Sequence, residues 1–104
     1  MASLTIVYWR DIPAQVIVKK GRESAKVQLT ERFEKAIDRA AMRANLRDTD
    51  SYLAEWRREA PVEVSDDLQA EADRKATELE TAYSDERLKG LVEAGGSDAA
   101  KAEG

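Results

Sequence analysis

The sequence predicts an α+β fold: a small antiparallel sheet led by an N-terminal β-hairpin, with two central helices and a long C-terminal helix packed on one face. Three observations carry this. The apolar and aromatic residues crowd into "LTIVYWRDIPAQVIVKK", Leu4 to Lys20. After Thr30 the apolar positions recur instead at helical spacing, between charged ones. Turn and breaker residues, Pro13, Gly21 and Pro61 among them, fall at the joints between these segments.

Leu4 to Trp9 is β-branched and aromatic, so it reads as a strand, and so does Gln15 to Lys19. Asp11 and Pro13 are turn formers, and Pro13 biases Ile12 away from the α region, which makes the pair a hairpin. Period 2 sets Leu4, Ile6 and Tyr8 on one face and Thr5, Val7 and Trp9 on the other. Lys20-Gly21-Arg22 closes the second strand, and Ala25, Val27 and Leu29 alternate with polar residues as a short third one.

Thr30 is a suitable N-cap for a helix whose stripe is Phe33, Ile37, Ala40, Ala41 and Ala44. The Asp48-Thr49-Asp50 cluster then caps a shorter helix with Tyr52, Leu53 and Trp56 along one edge, which Pro61 prevents from continuing. Pro61 to Val64 is the last extended piece. Ser65 caps the long helix, with a seam of Leu68, Ala72, Ala76, Leu79 and Tyr83, and Ser84-Asp85 either recaps or kinks it before Leu88, Leu91 and Val92. This organisation implies one domain over residues 1–93 and a small, polar, disordered tail over 94–104.

Composition narrows the chemistry. The chain has 104 residues, 37% charged and 42% hydrophobic, enough for one domain with a thin core. It contains no Cys and no His. Disulfides, thiolate nucleophiles, His-dependent triads and the usual zinc sites are thereby excluded, leaving carboxylate, Lys or Tyr chemistry. Residues 1–60 hold 12 Lys and Arg against 9 Asp and Glu, while residues 61–104 hold 5 against 12, within a net charge of −4. Such asymmetry either steers an acidic partner to the front half or draws the two halves together within one fold. The apolar runs are too short to span a bilayer and the N-terminus lacks a signal-peptide pattern, so the expected location is the cytoplasm.

"VYWRDIPAQVIVKKGR", followed by "FEKAIDRAAMRA", "DSYLAEWRR" and "PVEV", resembles the bacterial virulence factor domain family, a small domain also found in the conserved virulence factor C proteins of Gram-positive bacteria. In larger relatives the domain accompanies an iron-sulfur-scaffold-like region and helical repeats, which implies an accessory or interaction role. Standalone versions in alphaproteobacteria are associated with folate and corrinoid methyl-transfer genes, which implies as an alternative an accessory subunit of one-carbon methyl transfer. The repeats are missing from this sequence.

The candidate partner-binding residues are Trp9, Arg10, Asp11 and Pro13 at the hairpin tip, because an aromatic, a guanidinium and a rigid proline make a binding anchor. The competing reading packs Trp9 under a helix and pairs Arg10 and Asp11 with each other or with the backbone. Lys19, Lys20 and Arg22, with Lys26 beside them, form a basic set suited to an acidic or phosphate-bearing partner. A weak nucleic-acid binder is the second alternative, against which the acidic balance and the want of a reading motif both argue. Glu63, Asp66 and Asp67 have the oxygen chemistry of a hard-cation site but read more simply as helix-start acids. Catalysis by Asp11 with Arg10, or by Tyr8, needs a desolvated pocket that a core this thin scarcely offers. The expectation is a small non-catalytic interaction protein with a protein partner, no cofactor and no metal.

Overall fold

A computed structural model describes residues 2–45 and 49–96. The hairpin is β1 (Ala2–Trp9) and β2 (Ile12–Lys20), antiparallel, with Ile6 opposite Val16 and Val7 opposite Gln15. The third strand is present as β3 (Glu23–Gln28) on the outer edge of β2. The register shifts between Val7 and Tyr8, where Ala14 is the extra residue on β2.

The other edge of β1 is shared by two short strands, β4 (Trp56–Arg58) and β5 (Val62–Val64). They are halves of one return path: the Glu59 N–H still donates to the Ile6 carbonyl at 2.9 Å, and the path breaks at Pro61, which has no N–H to give. Trp56 therefore belongs to a strand and not to the preceding helix. That helix, α2 (Thr49–Ala54), stops before it, and Leu53 on the expected apolar edge is exposed. Pairing with a free sheet edge outweighs the helical spacing of Tyr52, Leu53 and Trp56. Asp48, the first residue of the expected cap, lies outside the described residues.

Three more helices, α1 (Glu31–Arg43), α3 (Leu68–Ala82) and α4 (Asp85–Glu93), complete the fold. A single core joins Leu4, Ile6, Val16 and Val18 of the sheet to Phe33, Ile37 and Ala40 of α1, Ala72, Ala76 and Leu79 of α3, and Leu88 and Leu91 of α4. Five alanines on the buried stripes of α1 and α3 let the helix axes come close to their neighbours. The architecture is thus a sheet with helices over one face, as expected.

Two caps differ from expectation. Thr30 occupies the N-cap position of α1, but its side chain makes no cap bond; both its N–H and its hydroxyl donate to the Glu80 carboxylate of α3, at 2.8 and 2.9 Å. Asp67, not Ser65, caps α3, its carboxylate accepting from the Ala70 N–H, while the Ser65 N–H donates to Glu71. Ser84 caps α4 as predicted, accepting from the Arg87 N–H at 3.1 Å. Ala94, Gly95 and Gly96 form a turn that packs on the hairpin, and residues 97–104 of the expected tail lie outside the described residues.

Candidate interaction surface around helix α1

The hairpin tip is an internal clamp. Trp9 and Ile12 are 0% exposed and Pro13 is fully buried, so the anchor anticipated at the tip offers no accessible indole. Trp9 interrupts the alternation of β1: its indole N–H donates to the Tyr52 carbonyl at 3.1 Å, its ring meets the Tyr52 ring at 5.7 Å, and Gly96 lies against it. Arg10 adopts a left-handed φ of 54°. Its backbone N–H donates to the Glu55 carbonyl, and its guanidinium reaches the Gly95 carbonyl at 2.9 Å and the Glu55 carboxylate at 3.2 Å. Asp11 pairs with Arg57 rather than Arg10, and its N–H donates to the Gly96 carbonyl. The tip thus binds the C-terminal turn of its own domain.

Lys19, Lys20 and Arg22 are exposed at the opposite end of the hairpin. Pro13 and Lys19 are about 20 Å apart at the rise of a strand, so the two halves of the anticipated site do not form one surface. Lys20 bridges to Asp66 at 2.9 Å, and its hydrogen bond and charge hold the Asp66 carboxyl below the ordinary range. Asp67 is committed to its cap, and among the described residues no group of three or more carboxylates is placed to hold a metal ion.

The most polarised feature is α1 itself. At 3.6 residues per turn, Arg32, Lys35 and Arg39 fall on one flank of its buried stripe, and Glu34 and Asp38 on the other. Each flank borders a concavity. On the basic side, α1 and α4 enclose about 340 Å³ with Ala36, Leu88 and Val92 as floor and Arg39 and Lys89 on the rims. Arg32 is anchored there by Glu80 and Asp85 at 3.1 and 3.2 Å. On the acidic side, α1 faces Tyr52 and Trp56 across a cleft of about 240 Å³. Burial pushes the Tyr52 phenol up, and the negative charges of Asp38 and Glu34 push it further.

Ionisation elsewhere serves structure. Partial burial pushes Glu80 up, but hydrogen bonds from Thr30 and Arg32 outweigh it and hold its carboxyl low. Glu71 is lowered by the Ser65 N–H and by Arg74. Tyr8, the one tyrosine considered for chemistry, is pushed up to about 12 by burial, with the neighbouring Tyr83 and Glu59 adding to it.

Glu34, Asp38, Arg39 and Lys89 border this surface and were not singled out by sequence reasoning, which read Tyr52 and Trp56 as core rather than site from their helical spacing. The sorting of acids and bases to opposite flanks of α1 is legible from helical spacing alone. Nothing local reveals that Trp56 turns onto a strand and comes beside them.

A family model described as "Virulence factor" matches residues 7–92, most of the chain, and the protein belongs to that family. No curated protein and no solved structure matches it. No helix among the described residues is long and apolar enough to cross a membrane.

Proposed function

We propose that this member of the virulence factor family is a non-catalytic accessory protein that binds a protein partner, with helix α1 and its two bordering concavities as the contact surface. The observation that carries the reading is the segregation of charge on α1: one short helix presents a basic flank and an acidic flank, each beside an apolar-floored hollow. Oppositely charged flanks fix the orientation of a docked partner and penalise a reversed one. The directions of the ionisation shifts agree with this reading. The displaced carboxylates are lowered by structural partners, and Tyr8 is moved away from neutrality, whereas acid-base catalysis needs a group brought toward it.

Affinity capture from the native host tests the proposal, using wild type, a Lys35→Glu/Arg39→Glu variant, and a Lys20→Ala/Arg22→Ala variant at the far end of the hairpin. The expected result is a protein partner retained by wild type and the hairpin variant and lost from the α1 variant, with circular dichroism unchanged. Retention by the α1 variant refutes the assignment of the surface. Recovery of methyltransferase components supports the one-carbon accessory role as the identity of the partner. Recovery of nucleic acid instead, lost steeply with salt, refutes the protein-partner reading.

A further inference from the structure

The cleft on the acidic flank of α1 has the construction of a cation site. One wall is a pair of aromatic rings packed edge to face, Tyr52 and Trp56, with centroids 6.2 Å apart and planes at 82°. Leu29 and Ile37, both buried, supply an apolar floor, and Ala14, the extra residue of the β2 irregularity, lies at its base. Glu34 and Asp38 stand over the opening, one turn apart on α1.

This wall is held in advance of any ligand. Tyr52 is fixed from behind by Trp9, through the bond from the indole N–H to the Tyr52 carbonyl and the tilted ring contact. Trp56 is fixed by pairing opposite Trp9 in the β1–β4 ladder. Faces of aromatic rings are electronegative and attract cations, and preorganised walls lower the entropy lost on binding.

Charge then selects the ligand. Most acidic side chains bordering the other described concavities are already paired: Asp85 with Arg32, Asp11 and Glu59 with Arg57, Glu78 with Arg74 and Lys75. Among the described residues neither Glu34 nor Asp38 takes part in an ion pair.

We infer that this cleft receives a lysine side chain of a partner protein, its methylenes lying over Leu29 and Ile37 and against the aromatic pair and its ammonium group meeting Glu34 and Asp38. A cavity of about 240 Å³ lined by aliphatic and aromatic side chains on one side and by carboxylates on the other matches an amphipathic cation better than a compact inorganic one, which the apolar part would leave unsolvated. The inference deepens the partner-binding reading and rests on it for the source of the lysine.

The experiment follows the full chain by NMR, reading the Trp56 indole signal while Nα-acetyl-lysine methylamide or its norleucine counterpart is added. The lysine probe is expected to move the Trp56, Tyr52 and Asp38 signals saturably, and norleucine to leave them in place at the same concentration. Asp38→Asn and Trp56→Leu are each expected to weaken the lysine probe by about fivefold, the scale of one exposed cation contact. Asp38 is exposed, so its variant retains the fold even where Trp56→Leu does not. Equal binding of norleucine, an unchanged lysine affinity in Asp38→Asn, or no saturable shift overturns the inference. Any of these with partner capture intact removes only the lysine site. Probe binding with no partner captured removes the partner reading and leaves the cation specificity of the cleft standing.

Discussion

Substituting Gly96 by alanine tests the contact on which the hairpin tip depends. A Cβ at Gly96 would lie 2.6 Å from Cζ3 and 3.1 Å from Cε3 of Trp9, and the backbone there has φ of 96°. Two costs combine. A left-handed conformation costs an L-residue about 1–2 kcal/mol, and forcing a methyl group into packed space costs about 1–3 kcal/mol. Trp9 is 0% exposed and is held by the Tyr52 carbonyl, so it has little room to retreat. The expected loss is therefore about 2–5 kcal/mol, a large share of the roughly 5–15 kcal/mol that stabilises a typical domain. For a chain of this size it lowers the melting temperature by about 10–25 °C. Urea unfolding followed by tryptophan fluorescence and circular dichroism measures it. Gly90→Ala is the matched control: Gly90 lies inside α4 with nothing within 4 Å of its would-be Cβ, so alanine should stabilise by about 0.5–1 kcal/mol. If Gly96→Ala falls within about 0.5 kcal/mol of wild type, the reasoning fails and the C-terminal turn does not bear on Trp9.

Other expectations follow from the ion pairs and the buried rings. Tyr8 should ionise near 12. Because its folded value is raised, the stability it contributes is complete below about pH 10 and declines as pH rises toward 12, and Tyr8→Phe should flatten that alkaline limb in a pH series of urea midpoints. Glu80 has the opposite sign: held low in the fold, it stabilises above the ordinary glutamate value of 4.5 and loses that contribution as pH falls below it. Glu80→Gln should cost about 1–2 kcal/mol at neutral pH and give a shallower acid transition, because Thr30 and Arg32 lose a charged acceptor. Trp9→Phe should cost about 1–3 kcal/mol, since it opens a void and leaves the Tyr52 carbonyl with only the Glu55 N–H as donor, and equal stability by calorimetry would contradict the burial of the tip.

The hairpin, the third strand and the stripes of α1 and α3 were legible because each rests on a period, 2 or 3.6, that the chain states locally. What the residues hid lies in long-range partners. Trp56 satisfies helical spacing with Tyr52, and only the unpaired edge of β1 makes it a strand. Thr30 has the chemistry of a cap, yet a carboxylate 50 residues away takes both of its donors. Ser65 and Asp67 are both competent caps two positions apart, and Glu71, by accepting the Ser65 N–H, leaves the role to Asp67. The candidate surface was half visible: the charges of α1 sort by flank on the sequence alone, but the aromatic wall opposite them depends on the β4 pairing. Trp9 was legible as either anchor or core, and the long-range contacts with Tyr52 and Gly96 decide for core.

The bond from Arg10 to the Gly95 carbonyl spans 85 positions of chain. A ribosome makes the hairpin well before this turn, so in the interval the Trp9 indole lacks the glycine contact that covers it in the finished fold. Native structure of the whole unit must wait until the glycine pair has left the exit tunnel, and in the meantime the opening segment is a natural client for chaperones. Stalled nascent chains that hold Gly95 and Gly96 inside the tunnel should accordingly be captured by chaperones and degraded readily, while chains carrying a C-terminal linker long enough to expose the pair become resistant.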